Sequence, residues 1–127
     1  MTEFEKATLV SAWIAGQAGG AGSVAEEENW WAIEKLMDLP WSDPELAWEV
    51  IVRIHNQSDS DEVRGILAAS PLEDLMMQHG STFISRVEEL AQENSRFRDL
   101  LKGVWLDEGD SVFERFYAAA GLSSPHA

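Results

Sequence analysis

Glu73, Asp74 and His79 are the residues whose types come closest to a catalytic set, since carboxylates near an imidazole are the material of general acid–base chemistry. Their spacing works against it. Neighbouring side chains on a helix diverge by about 100°, so Glu73 and Asp74 do not easily reach one substrate atom. His79 follows Asp74 by five residues, a poor interval for one helix face. Glu73 also has a competing role. Ser70-Pro71-Leu72-Glu73 reads as a capping box with proline in the first turn, which predicts a helix start there. Any groove at Glu73, Asp74 and His79 therefore depends on tertiary structure.

Other chemistries lack their motifs. His55, His79 and His126 have no Glu or His three or four residues on, and no repeated Glu-x-x-His is present. Asp59-Ser-Asp61-Glu62 and Asp107-Glu-Gly-Asp110 do not continue as calcium loops and read as helix caps. No metal or cofactor is expected. The serines have no nucleophile elbow, and the chain has no cysteine, which removes disulfides and thiolate chemistry. The glycine-rich stretch 16–25 lacks the Lys-Ser/Thr ending of a phosphate loop, and a flexible connection is expected.

A binding surface is better supported. Of the six tryptophans, Trp13, Trp30, Trp48 and Trp105 lie on apolar stripes and are expected in the core. Trp31 falls among Glu34, Lys35 and Asp38, and Trp41 sits in a Leu-Pro-Trp-Ser turn. Both either pack beneath the glycine-rich stretch or stand exposed. If exposed, with Glu26, Glu27, Glu34 and Asp38 nearby, they have the make-up of a hot spot for a basic, partly apolar protein.

Charge points the same way. The net charge of 127 residues is −14, with −10 in residues 1–62 (13 acids, 3 bases) and −4 in the rest (10 acids, 6 bases). Such a field repels nucleic acid and favours encounter with a basic partner. Acidity also serves solubility alone.

Helices must position these groups. A first helix is expected from Glu3 to Ala15, and a second to Leu39, stopped by Pro40, with Trp30, Ile33, Leu36 and Met37 buried. Ser42-Asp43-Pro44-Glu45 starts a helix running to Asn56, apolar around most of its circumference and therefore central. A short helix carries Val63, Ile66 and Leu67. The helix begun at the capping box ends at His79-Gly80, where glycine is expected to take a left-handed cap. Striped helices follow over 81–93 and 96–106, then a last one with Val112, Phe113, Phe116 and Tyr117, closed by Gly121. Residues 122–127 read as a disordered tail. The whole predicts an all-α domain over 1–121, of seven or eight short helices stacked as antiparallel hairpins in a small HEAT-like superhelix. It would be a monomer or homodimer. No strand pattern, signal peptide or membrane span is apparent, and a cytoplasmic location is expected.

Pro71-Leu-Glu-Asp-Leu75, His79-Gly80, Arg96-Phe97, Leu100-Leu101 and Val104-Trp105 resemble the pattern PLEDLL…HG…FR..L..VW of an uncharacterised bacterial all-helical family. The likeness extends upstream through Asp43-Pro-Glu-Leu-Ala-Trp-Glu49. It implies a fold and no activity. Three functions stay open: an acidic protein-binding module, such as an immunity- or antitoxin-like neutraliser of a basic toxin; an enzyme or ligand-binding domain at Glu73, Asp74 and His79; and a self-associating subunit.

Overall fold

The computed structural model describes residues 1–122, and the tail over 123–127, with His126, lies outside them. The described residues form an all-α fold: α1 (Glu3–Gly19), α2 (Val24–Glu28), α3 (Trp30–Ser42), α4 (Pro44–Gln57), α5 (Asp61–Leu67), a π-helical turn (Ala68–Leu72), α6 (Glu73–Glu93), α7 (Ser95–Leu101) and α8 (Phe113–Ala119). No strand occurs among them, and no helix is long and apolar enough to cross a membrane.

The helix starts follow local chemistry. Thr2 and Glu5 close a reciprocal capping box on α1. Ser23, Asp43, Ser60 and Asn94 each accept a backbone N–H at the starts of α2, α4, α5 and α7. Each satisfies a donor that the first turn leaves without an internal partner.

The core is one continuous cluster, and α4 runs through it. Ala47, Val50, Ile51 and Ile54 of α4 are fully buried. Trp48 on its flank packs against Phe83 and Phe97, with ring centroids 5.9 and 6.0 Å apart. Packing against α4 are α1, α3, α5, α6 and the π turn. This is the central helix that its nearly unbroken apolar circumference requires. Beyond pairings of sequence neighbours, α1 reaches α5 and α3 reaches α6.

Several boundaries differ from the sequence reading. The expected loop over 16–25 is mostly helix: α1 runs to Gly19, and α2 starts at Val24. Gly16 is buried where α1 meets α3, and a Cβ there would lie 3.1 Å from Asn29 Cβ and 3.2 Å from Ile33 Cδ1. The residue serves close packing. Only Gly20 and Gly22 of that stretch take positive φ.

Pro40 does not stop its helix, since α3 continues to Ser42 with Pro40 buried. Proline's fixed φ suits a helix, and near the C-terminus its missing N–H removes a single hydrogen bond. The predicted start at Ser70 is also absent. α5 passes through the π turn into α6, and no side chain caps α6. The expected break at His79-Gly80 is present: the backbone leaves helical geometry at His79 (φ −136°, ψ 29°), and a second helical segment follows directly to Glu93, so α6 is two helices joined across a kink. Gly80 is not left-handed. A Cβ on it would lie 2.7 Å from Val112 Cγ2, so the glycine lets the chain before α8 approach α6.

The helix expected over 96–106 ends at Leu101. Lys102, Gly103 and Val104 N–H groups donate to the carbonyls three residues back. This tightening takes the following residues out of helical register. Val104 and Leu106 point inward, while Trp105 is exposed rather than core. Leu122 is not part of a tail, because its N–H donates to the Tyr117 carbonyl and its side chain packs on the core.

Candidate functional site

Helix α3 divides sharply by angle. At about 100° per residue, Ala32, Ile33, Leu36, Leu39 and Pro40 occupy one arc, and all five are buried. Trp30, Met37 and Trp41 fall within about 40° of one another on another arc, and they are 45%, 53% and 60% exposed. Trp31, 50% exposed, flanks them. The expectation that Trp30 and Met37 join the buried stripe is corrected. Their signal was legible only if Trp41 was counted as helical. Placing the helix end at Pro40 hid a stripe that Trp41 completes.

The carboxylates of this face are held by their own helix. Trp30 Nε1 donates to Glu34 Oε2 at 2.8 Å, and Ser42 Oγ donates to Asp38 Oδ2 at 2.7 Å. Glu26, half-buried at the start of α2, accepts the Gly22 N–H at 2.9 Å. Glu27 and Glu28 stand exposed beside it. Among the described residues no cation pairs with any of them.

Elsewhere the bases are committed. Lys6 and Arg53 hold Glu3 and Glu49; Arg86 forks onto Glu45 at 2.6 and 2.9 Å; Arg115 binds Glu88; Arg96 meets Asp59, and Lys102 meets Asp99. Arg64 donates to the Arg96 carbonyl and Arg98 to that of Ala91. Of nine bases, Lys35 on α3 is the one, among the described residues, without such a partner. The paired guanidiniums hold the Glu3, Glu45 and Glu88 carboxyls below the ordinary carboxylate range.

The alternative trio is not assembled as a site. Glu73 Oε1 accepts the Trp105 backbone N–H at 2.7 Å, so it fastens the chain after α7 and does not cap α6. Asp74 is half-buried, and burial raises its carboxyl pKa. His79 sits at the kink. Among the described residues no hydrogen bond joins the three, and no group of three His, Cys, Asp or Glu is placed to hold a metal. The broad depression between α6, α7 and α8 has Glu88 and Arg98 in its wall, but Arg115 and the Ala91 carbonyl already engage them.

One polar cluster has no forerunner in the sequence reading. His55 is fully buried at the end of α4, edge-on to Phe97 with centroids 5.3 Å apart. Its Nδ1 lies 3.3 Å from an Arg64 guanidinium nitrogen, and among the described residues no group meets His55 Nε2 or Arg64 Nε in good hydrogen-bond geometry, Asn94 being the side chain that opposes the lowering of the His55 pKa. Since arginine only donates, Nδ1 accepts and the ring is neutral. Burial, then the charges of Arg64 and Arg96, lower its pKa. Arg96 also donates to the Ser58 carbonyl at 3.0 Å, so the cluster fastens the end of α4 to α5 and α7. Burial at the meeting of three helices is a tertiary property that no local pattern announces.

A family model described as a family of unknown function (DUF6869) matches residues 20–122. The match begins after α1, which nonetheless places Leu9, Val10 and Trp13 in the core. Neither the curated proteins nor the solved structures contain a match.

Proposed function

We propose, for a chain that belongs to the DUF6869 family of unknown function and takes no activity from it, a small acidic helical module that binds a basic protein and performs no catalysis. One observation carries this reading: α3 is apolar on two sides, and only one is covered. Four large side chains, Trp30, Trp31, Met37 and Trp41, stand in solvent next to carboxylates without cations. Exposed apolar groups gathered on one face, rimmed by charge, mark an interaction surface more often than scattered ones do. The net charge of −14 would speed encounter with a positively charged target. In its most concrete form the module is an immunity- or antitoxin-like neutraliser covering the basic cleft of a toxin, working in the cytoplasm.

The test is co-purification of the partner, then affinity measured against salt and against α3 variants. Trp31→Ala and Trp41→Ala are each expected to weaken binding by about 2 kcal/mol or more, roughly thirtyfold, with the far-ultraviolet spectrum unchanged. Affinity insensitive to salt would remove the electrostatic half of the proposal. Affinity unchanged in the double tryptophan variant would remove the α3 face altogether. The same uncovered face could be closed by a second copy, and sedimentation across a wide concentration range separates that case.

A further inference from the structure

We infer that the partner meets this face with a basic amphipathic helix lying along α3; the inference rests on α3 being the docking face. Trp30, Glu34, Met37 and Trp41 stand at i, i+4, i+7 and i+11, and all are exposed. That spacing draws a nearly straight ridge about 16 Å long, three turns of helix. Ridges of this kind pack into the grooves of a second helix at 8–10 Å separation. α3 already does this on its other side, where Leu36 and Leu39 are fully covered by the bundle. A helix laid on the ridge would give α3 the cover that its apolar circumference calls for. The described residues offer no strand edge onto which an extended segment could add.

Charge selects the helix's chemistry. Residues 24–42 hold five carboxylates (Glu26, Glu27, Glu28, Glu34, Asp38) against Lys35, a net charge of −4. Glu34 and Asp38 are oriented by Trp30 and Ser42, and their charge is not neutralised within the described residues. A partner seam of small and apolar residues would take the tryptophans and Met37, with Lys or Arg beside it opposite the carboxylates. An acidic or neutral helix would bury those carboxylates against nothing, at high cost.

A random peptide library of about sixteen residues, long enough for four turns, displayed on phage and panned on the full chain, tests this. Counter-selection uses a Trp31→Ala, Met37→Ala, Trp41→Ala variant, whose changes are all at exposed positions and whose fold is checked by circular dichroism. Enriched peptides are expected to carry apolar residues at i, i+3 or i+4 and i+7 with flanking Lys or Arg. They are expected to bind the wild type at least about thirtyfold more tightly than the variant, the scale of one hot-spot loss. Basic peptides with alternating or aperiodic apolar residues would overturn the helix while leaving the basic-partner reading intact. Enrichment of acidic peptides, or of none that distinguishes wild type from variant, would overturn both.

Discussion

Three acids of α4 and α6 are met by cations: Glu45 by Arg86 of α6, Glu49 by Lys6 of α1 and by Arg53 one turn on in α4 itself, and Glu88 by Arg115 of α8. Glu26, Glu34 and Asp38 of α2 and α3 are instead met by backbone, indole and hydroxyl groups that carry no charge. The two regions hold similar residues, yet these three acids of the first are paired with cations, and among the described residues none of the second is. The apolar groups divide the same way. Phe83 on α6 is fully buried and lies under the Arg86 guanidinium, 4.8 Å from the ring centroid, whereas the tryptophans of α3 stand in solvent. A molecule free only to fold would cover its aromatics and match its charges everywhere. Around Phe83, Glu45, Glu49 and Glu88 the α4–α6 region comes close to this, and the contrast marks the uncovered side of α3 as the candidate face.

Several measurements would sharpen or break the contrast. The largest effect is expected within α3 itself. Leu36→Ala, at a fully buried position, should cost about 2–5 kcal/mol in urea unfolding, while Trp41→Ala should stay within about 0.5 kcal/mol. Equal losses would mean that Trp41 is structural and that the face is no docking surface. Next comes Gly80→Ala, whose added methyl meets Val112; a loss of about 1–3 kcal/mol is expected from overpacking. A stability gain would mean that Val112 yields to the added methyl and that its close approach does not require the glycine.

Acid should act on the matched side first. The fold holds His55 neutral, with its pKa below the ordinary 6.5. Between those two values the unfolded chain binds more protons, so the His55 contribution is complete above about pH 6.5 and is lost as pH falls through the lowered value. Glu45 and Glu88, held below 4.5, lose theirs only in stronger acid. Asp74 acts with the opposite sign. Its carboxyl is raised above 3.8, so its contribution is full below that value and is lost as pH rises through the raised one. Urea midpoints from pH 7 to 5 should fall in the wild type and flatten in His55→Gln. A slope retained in His55→Gln would assign the acid response elsewhere. The smallest effect belongs to the Glu45–Arg86 pair on the exposed surface. A double-mutant cycle there should show weak coupling that fades with salt, in contrast to salt-dependent partner binding at α3.

Much of the architecture was legible locally. Asp43-Pro44 starts a helix because a capping oxygen and a preset φ act within four residues. The circumference of α4 placed it at the centre for the same reason: periodicity is a property of the segment. The failures share a cause. Ser70-Pro71 and Pro40 carry local start and stop signals that packing overrides, whereas the break signalled at His79-Gly80 is present as a kink without a left-handed glycine. The π turn and the kink at His79 keep one chain path against the core, and Gly80 is needed for the approach of Val112.

The candidate face divides likewise. Trp31, Trp41, Glu34, Asp38, Glu26 and Glu27 were identifiable by type and neighbourhood, whereas Trp30 and Met37 were assigned to the wrong side. An apolar residue near the border of two arcs goes to whichever neighbour arrives, and no sequence pattern says whether one does. From the sequence alone came the all-helical class, the acidity and the absence of a catalytic motif, because composition and short-range spacing suffice for these. The tertiary structure decided which charges meet a partner, that His55 lies at a junction of three helices, and that one side of α3 stays uncovered. Those depend on which surfaces approach across long separations in the chain, and burial is settled only when they do.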